Sequence, residues 1–255
     1  MNNISEPKLF DERTRLVGEL LTAAIVSFVL LACAALYVSP GIDYLYHGEV
    51  FASLSEDLSQ KHNLRLRILG PLLGYISGLR GDKFIFLPLV AAWAASVSLY
   101  LWARSSQLSR LSSAAVSMMF VFSTPVLFVL FFPGYTDTLT YLLLIAAVLA
   151  RRRVIWFALS TTLMLFNHEA SVIYLPFLLA MIFLERPARL WVQLPVALCG
   201  WLIWLYLRWR FQASFVDVAH FNFYFNWERV YKTAEVNTPR LVSAYFYAFK
   251  YFWLV

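Results

Sequence analysis

The sequence predicts an all-α polytopic membrane protein with about seven transmembrane helices, plus an amphipathic helix and a re-entrant or interfacial helix in the first outer loop. Three observations predict it. Apolar residues make up 61% of the 255-residue chain and charged residues only 14%, with a mean hydropathy of +0.66, which leaves too little polar sequence to cover a water-facing surface. Long apolar runs recur along the chain, separated by short polar breaks. Those breaks alternate in charge: Arg104 with Arg110, Arg151 to Arg153, and Arg186 with Arg189 mark one side, while the turns at Pro133–Thr136 and Asn167–Ala170 carry no Lys or Arg. The formal net charge of +6 follows in part from this bias, and no basic face of the kind nucleic acid requires is present.

Taken in order, residues 1–16 carry Lys8, Arg13 and Arg15 and read as a cytoplasmic amino terminus. Val17–Val38 spans as a retained signal anchor, since the run is long and lacks a small-residue cleavage site after a short core. The first outer loop, 39–83, follows. Within it Val50, Phe51, Leu54 and Leu58 recur at helical spacing, so an amphipathic helix over Asp43–Gln60 is expected in the membrane surface. Leu66–Leu79 is apolar but interrupted by Gly70, Pro71, Gly74 and Gly78, and is too short to cross, which predicts the re-entrant or interfacial helix. The remaining spans are expected at Phe84–Ala103, Ala114–Phe132, Tyr135–Ala150, Val154–Phe166, Ser171–Leu184 and Leu190–Leu207, closing a transmembrane domain over 17–207. Residues 208–255 read as an outer aromatic segment, with Leu241–Val255 the start of a further helix, as in a short form or a piece of a longer protein. Cys33 and Cys199 fall inside apolar runs, where packing as small hydrophobes is the expected role.

The expected topology puts all four histidines and most of the fifteen acids on the outer side. Asp137 and Glu169 stand at helix ends beside apolar sequence, where an ionisable group is costly and marks a candidate site. For Asp137 a second reading stays open, since a carboxylate in the first turn of a helix is also stabilised by the helix dipole. His168 beside Glu169 puts an imidazole next to a carboxylate between two apolar runs, which points to function. Asp43 and His47 are four residues apart on one helical face, with Glu49 the next acid. Arg65 and Arg67 suit a phosphate clamp, because guanidinium binds phosphate oxygens bidentately at the bilayer surface. Snorkelling at the interface is the other reading of both. On a helix, moreover, two residues two apart point about 200° from one another, so they share a face only in an extended segment.

Five short stretches together resemble the bacterial polytopic membrane glycosyltransferases of the GT-C superfamily: Ile42-Asp43-Tyr44-Leu45-Tyr46, then Arg65-Leu66-Arg67-Ile68-Leu69-Gly70-Pro71-Leu72-Leu73, then Gly134-Tyr135-Thr136-Asp137, then Asn167-His168-Glu169, then Leu175-Pro176. Their order and spacing are similar to the family's over about residues 17–190. The resemblance implies transfer of a sugar from a polyprenyl-phosphate donor to a glycan, lipid or protein acceptor on the outer side of the bacterial inner membrane, with Asp43 as the base. From their own positions and chemistry, substrate contacts are expected from Glu49, Arg65, Arg67, Asp137, His168 and Glu169. Many relatives carry two adjacent acids after the first helix, whereas here Asp43 is followed by Tyr44.

The residue types suit that chemistry on their own terms: a carboxylate accepts the proton of an attacking hydroxyl, and arginine matches the charge of a leaving phosphate. No glycine-rich phosphate loop and no G-x-S-x-G is present, so a soluble nucleotide-sugar donor is not expected. No cofactor is expected. A divalent metal assembled from His47, His168, Glu169 and His220 is a weaker alternative, because their spacings match no compact metal motif. Two other classes stay open: a polysaccharide polymerase or ligase, and a non-enzymatic lipid or solute transporter or flippase. Transporters place ionisable groups near the midplane and often repeat their halves, and neither pattern is evident.

Overall fold

The computed structural model describes residues 6–38, 47–59, 67–185 and 187–212. Among these residues the regular structure is entirely helical, with no strand. The chain divides into two units, Met1–Trp204 and Leu205–Val255, and the described part of the second is the stretch 205–212 at the end of the last helix. Three segments, Thr14–Val38, Gly81–Ser105 and Leu190–Leu207, are long and apolar enough to cross a membrane. Arg110–Val121, Asp137–Ala150, Val154–Asn167 and Ser171–Glu185 are apolar but shorter.

Helix α1 runs over Glu6–Val38. Its Ala23, Ser27 and Ala34 are fully buried and fall on one face, while Ile25, Phe28 and Leu36 on other faces are exposed. Small side chains on the inner face let another helix approach closely, and the exposed apolar residues suit lipid rather than water. The partner helix is α4, Phe86–Ser105, whose own inner positions Ala91, Ala92, Ala95 and Ser96 are also small and buried. Ser96 Oγ donates to Ser27 Oγ at 2.9 Å, and the Trp93 indole N–H donates to the Ala24 carbonyl at 3.1 Å. Where no water is at hand, these bonds satisfy groups that apolar surroundings would penalise.

The described part of the segment between α1 and α4 folds back on the start of α4. Helix α2 covers His47–Glu56, shorter than the Asp43–Gln60 helix expected. Its end has a local cause. The Ser59 amide and hydroxyl both donate to Asp57 Oδ1, at 2.9 and 2.6 Å, which draws the chain into a side-chain turn instead of another helical turn and holds the Asp57 carboxyl below its usual range. Leu58 therefore lies outside the helix, and residues 43–46 and 60 lie outside the described residues. The apolar face of α2 is covered: Phe51, Ala52 and Leu54 bury with Phe84, which sits in a 3₁₀ turn over Gly81–Ile85 leading into α4. Full burial of Phe84 is worth about 1.5–3 kcal/mol. Helix α3, Leu69–Ser77, ends at Gly78 with φ of +77°, a left-handed cap that glycine adopts without strain.

The single span expected over Ala114–Phe132 is two helices, α5 (Arg110–Val121) and α6 (Thr124–Phe131). Ser123 between them is extended, with φ of −71° and ψ of 149°. The cause is Pro125, which has no amide hydrogen for a continuing helix and is tolerated only in a first turn. Helices α7 (Asp137–Ala150) and α8 (Val154–Asn167) form a hairpin, and a 3₁₀ turn at Glu169–Ile173 opens into α9 (Tyr174–Glu185) before α10 (Pro187–Gln212). Ala147, Phe157, Leu175, Leu178, Ile182 and Ala197 make the core of this half. Cys33 and Cys199 are both exposed, so neither packs in the core as expected; each lies on an outward, apolar helix face instead.

Candidate functional site

Among the described residues, the charged side chains of the bundle gather at its two ends. Thr138 Oγ1 donates to the Pro88 carbonyl at 2.7 Å, and Leu139 packs with Ala91, so α7 and α4 leave the same end side by side. Their far ends carry Arg151 and Arg104. There Glu19 of α1 accepts from Arg104 and Arg110, Arg151 Nε donates to Glu185 at 2.7 Å, and the Gln193 amide donates to the Arg151 carbonyl. The opposite end holds the start of α4, the loop helices α2 and α3 that pack on it, and the start of α7.

At this second end three separate segments converge. Gly70 in the first turn of α3 lies so close to the turn before α7 that a Cβ there would meet Thr136 Cγ2 at 2.5 Å. Asn167, the last residue of α8 and fully buried, donates from its amide to the Thr136 carbonyl at 2.8 Å and to Thr140 Oγ1 at 2.7 Å. These bonds bring the residues on either side together. His168, next along from Asn167, has its Nε2 3.8 Å from Oδ1 of Asp137, next along from Thr136, and both side chains are about a quarter exposed. That separation is longer than a hydrogen bond yet short enough for a charged imidazole to feel the carboxylate. One turn further along α7, Tyr141 lies beside Tyr174 at the start of α9, which extends the polar line into the bundle.

Of the residues selected in the sequence, Asp137 and His168 are therefore brought together. Arg67 stands half-buried just before α3, three residues ahead of Gly70, on the segment that packs against Thr136. Glu49 is exposed in the first turn of α2. Glu169 begins the 3₁₀ turn after His168, its side chain outside what is described; Asp43 and Arg65 lie outside the described residues. Among the described residues no group of three or more His, Cys, Asp and Glu side chains could hold a metal ion.

Thr136, Thr140, Tyr141, Asn167 and Tyr174 were not foreseen as parts of one site. Asn167 left the clearest trace: an amide at the end of an apolar helix is costly unless it is bonded, so its presence implied buried partners without identifying them.

The fold and the two charged ends define an all-helical, membrane-associated protein whose charged side chains, among the described residues, sit near helix ends rather than in mid-span. Compared with known proteins, the chain matches no family model, no curated protein and no solved structure.

Proposed function

We propose that the chain is a membrane glycosyltransferase that moves a sugar from a polyprenyl-phosphate donor to a glycan, lipid or protein acceptor outside the bacterial inner membrane. The observation that carries the reading is the meeting of Asp137 and His168 at 3.8 Å, at the end of the bundle where the α3 segment that follows Arg67 also packs. Carboxylate, imidazole and guanidinium from three distant segments are the groups that sugar hydroxyls and a lipid-borne phosphate require.

In this reading the membrane is crossed seven times, by α1, α4, α5 with α6, α7, α8, α9 and α10. Helices α5 and α6 together contribute about 30 Å of rise, enough for one crossing despite the break at Ser123. The arginine end is cytoplasmic and the Asp137–His168 end is outside, with the amino terminus inside. The acceptor hydroxyl oxygen attacks the anomeric carbon, the bond from that carbon to the phosphate oxygen breaks with its electron pair going to the phosphate, and the hydroxyl proton passes to Asp43. Arg65 and Arg67 match the phosphate charge. Asp137, His168 and Glu169 hold the sugar, and Glu49, the next acid after Asp43 in sequence, adds a further substrate contact.

The test is transfer by the purified protein from a pool of polyprenyl-linked sugars. Asp43→Asn, which keeps size and polarity but removes the base, is expected to lower the rate by about a hundredfold or more at normal expression. No transfer by the unmodified protein from any donor in the pool, or full activity in Asp43→Asn, would count against the assignment.

A further inference from the structure

The arginine end contains a charge arrangement that the transfer reaction does not use. Glu19 is the acceptor for two arginines from other helices. Arg104 donates from Nε to Oε2 and from Nη2 to Oε1, each at 3.1 Å, and from Nη1 to the Leu108 carbonyl. Arg110 donates from Nε at 3.2 Å and Nη2 at 2.9 Å, both to the same Oε1. One carboxylate thus balances one of the two guanidiniums, and the fork of Arg104 is used up. Nη1 of Arg110 does not bond Glu19, and the side chain is 66% exposed. Arg15 adds a third positive charge one helical turn before Glu19, on the same face of α1, and is exposed.

Exposed apolar residues border the cluster among exposed serines. Leu16 and Leu20 alternate with Arg15 and Glu19 along α1, and Leu111 follows Arg110; all three are exposed, beside exposed Ser105, Ser109 and Ser112. A free phosphate has no use for such a border, whereas a lipid places a phosphate against the arginines and its acyl chains along the leucines. Arg110 is also held in place by Glu19, so little side-chain freedom is lost on binding.

We infer that Arg15 and Arg110, with Glu19 fixing Arg110, form a binding site for the headgroup of an anionic glycerophospholipid at the arginine end of α1, α4 and α5.

Native mass spectrometry of the full chain released from detergent, after titration with phosphatidylglycerol, phosphatidylcholine or inorganic phosphate, tests it. Phosphatidylglycerol is expected to be retained in preference to phosphatidylcholine, and inorganic phosphate not to displace it. Each of Arg15→Gln and Arg110→Gln is expected to weaken retention about fivefold. Arg15→Gln breaks no described contact, so its effect is read on an intact fold even if Arg110→Gln perturbs packing. Arg152→Gln with Arg153→Gln, which removes exposed charge from the same end, is expected to change little. Equal retention of the two lipids, displacement by inorganic phosphate, no effect of Arg15→Gln, or an equal loss in the Arg152 and Arg153 pair would each overturn the site.

Discussion

The Asn167 side-chain amide donates to the Thr136 backbone carbonyl at 2.8 Å, joining the end of α8 to the turn before α7 across 31 residues of sequence. Asp137 and His168 are the next residue on each side, so this one buried bond sets how far the carboxylate and imidazole stand apart.

Asn167→Leu keeps the size but removes both donors, leaving the Thr136 carbonyl and the Thr140 hydroxyl without them. The expected cost is about 1–3 kcal/mol, read as a lower melting temperature in detergent. Asn167→Asp, which keeps the shape and replaces the donors by acceptors, is expected to cost at least as much. A melting temperature unchanged in both variants would mean that the clamp carries no stability.

Gly70→Ala puts a methyl group against Thr136 Cγ2 at 2.5 Å, closer than packed carbons tolerate, and is expected to cost about 1–3 kcal/mol. Thr136→Ser removes that Cγ2. The double variant is expected to recover most of the loss, and simple additivity of the two changes would argue that α3 and the α7 turn do not touch here.

With the arginine end cytoplasmic, a cysteine at Ser105, exposed at the end of α4, is expected to resist membrane-impermeant reagents in intact cells, while one at Ala170 reacts. Labelling of Ser105→Cys from outside would invert the topology and remove the base and phosphate contacts from the outer face.

If Asp137 and His168 both hold sugar, Asp137→Asn and His168→Gln are each expected to lower transfer by about a hundredfold while the melting temperature stays near that of the parent. Losses in the double variant that fall well short of the product of the two single losses would show that the pair acts as a unit. Full multiplication would assign them to separate contacts.

Much of the architecture was legible because its causes are local. Apolar content and run length need no partner to be read, and the Asn167-His168-Glu169 stretch stood out by its polarity alone. The break at Ser123 was also written locally, in Thr124-Pro125, but a hydropathy run averages across a single proline whose neighbours are all apolar. The early end of α2 came from a side-chain turn at Asp57 that competes with the helix over two residues, too short a signal for apolar periodicity to register.

By itself the sequence determined that this is a helical membrane protein with its ionisable groups at helix ends, since hydropathy and charge spacing are properties of contiguous residues. Only the tertiary structure decided which ends meet. Glu19 finds Arg110 from 91 residues away, and Asn167 finds Thr136 from 31. Such partners are chosen by which helices pack side by side, and that choice rests on buried contacts such as Ser27 against Ser96, Ala23 against Val97 and Ala34 against Val121, where shape rather than hydropathy distinguishes one apolar helix from another.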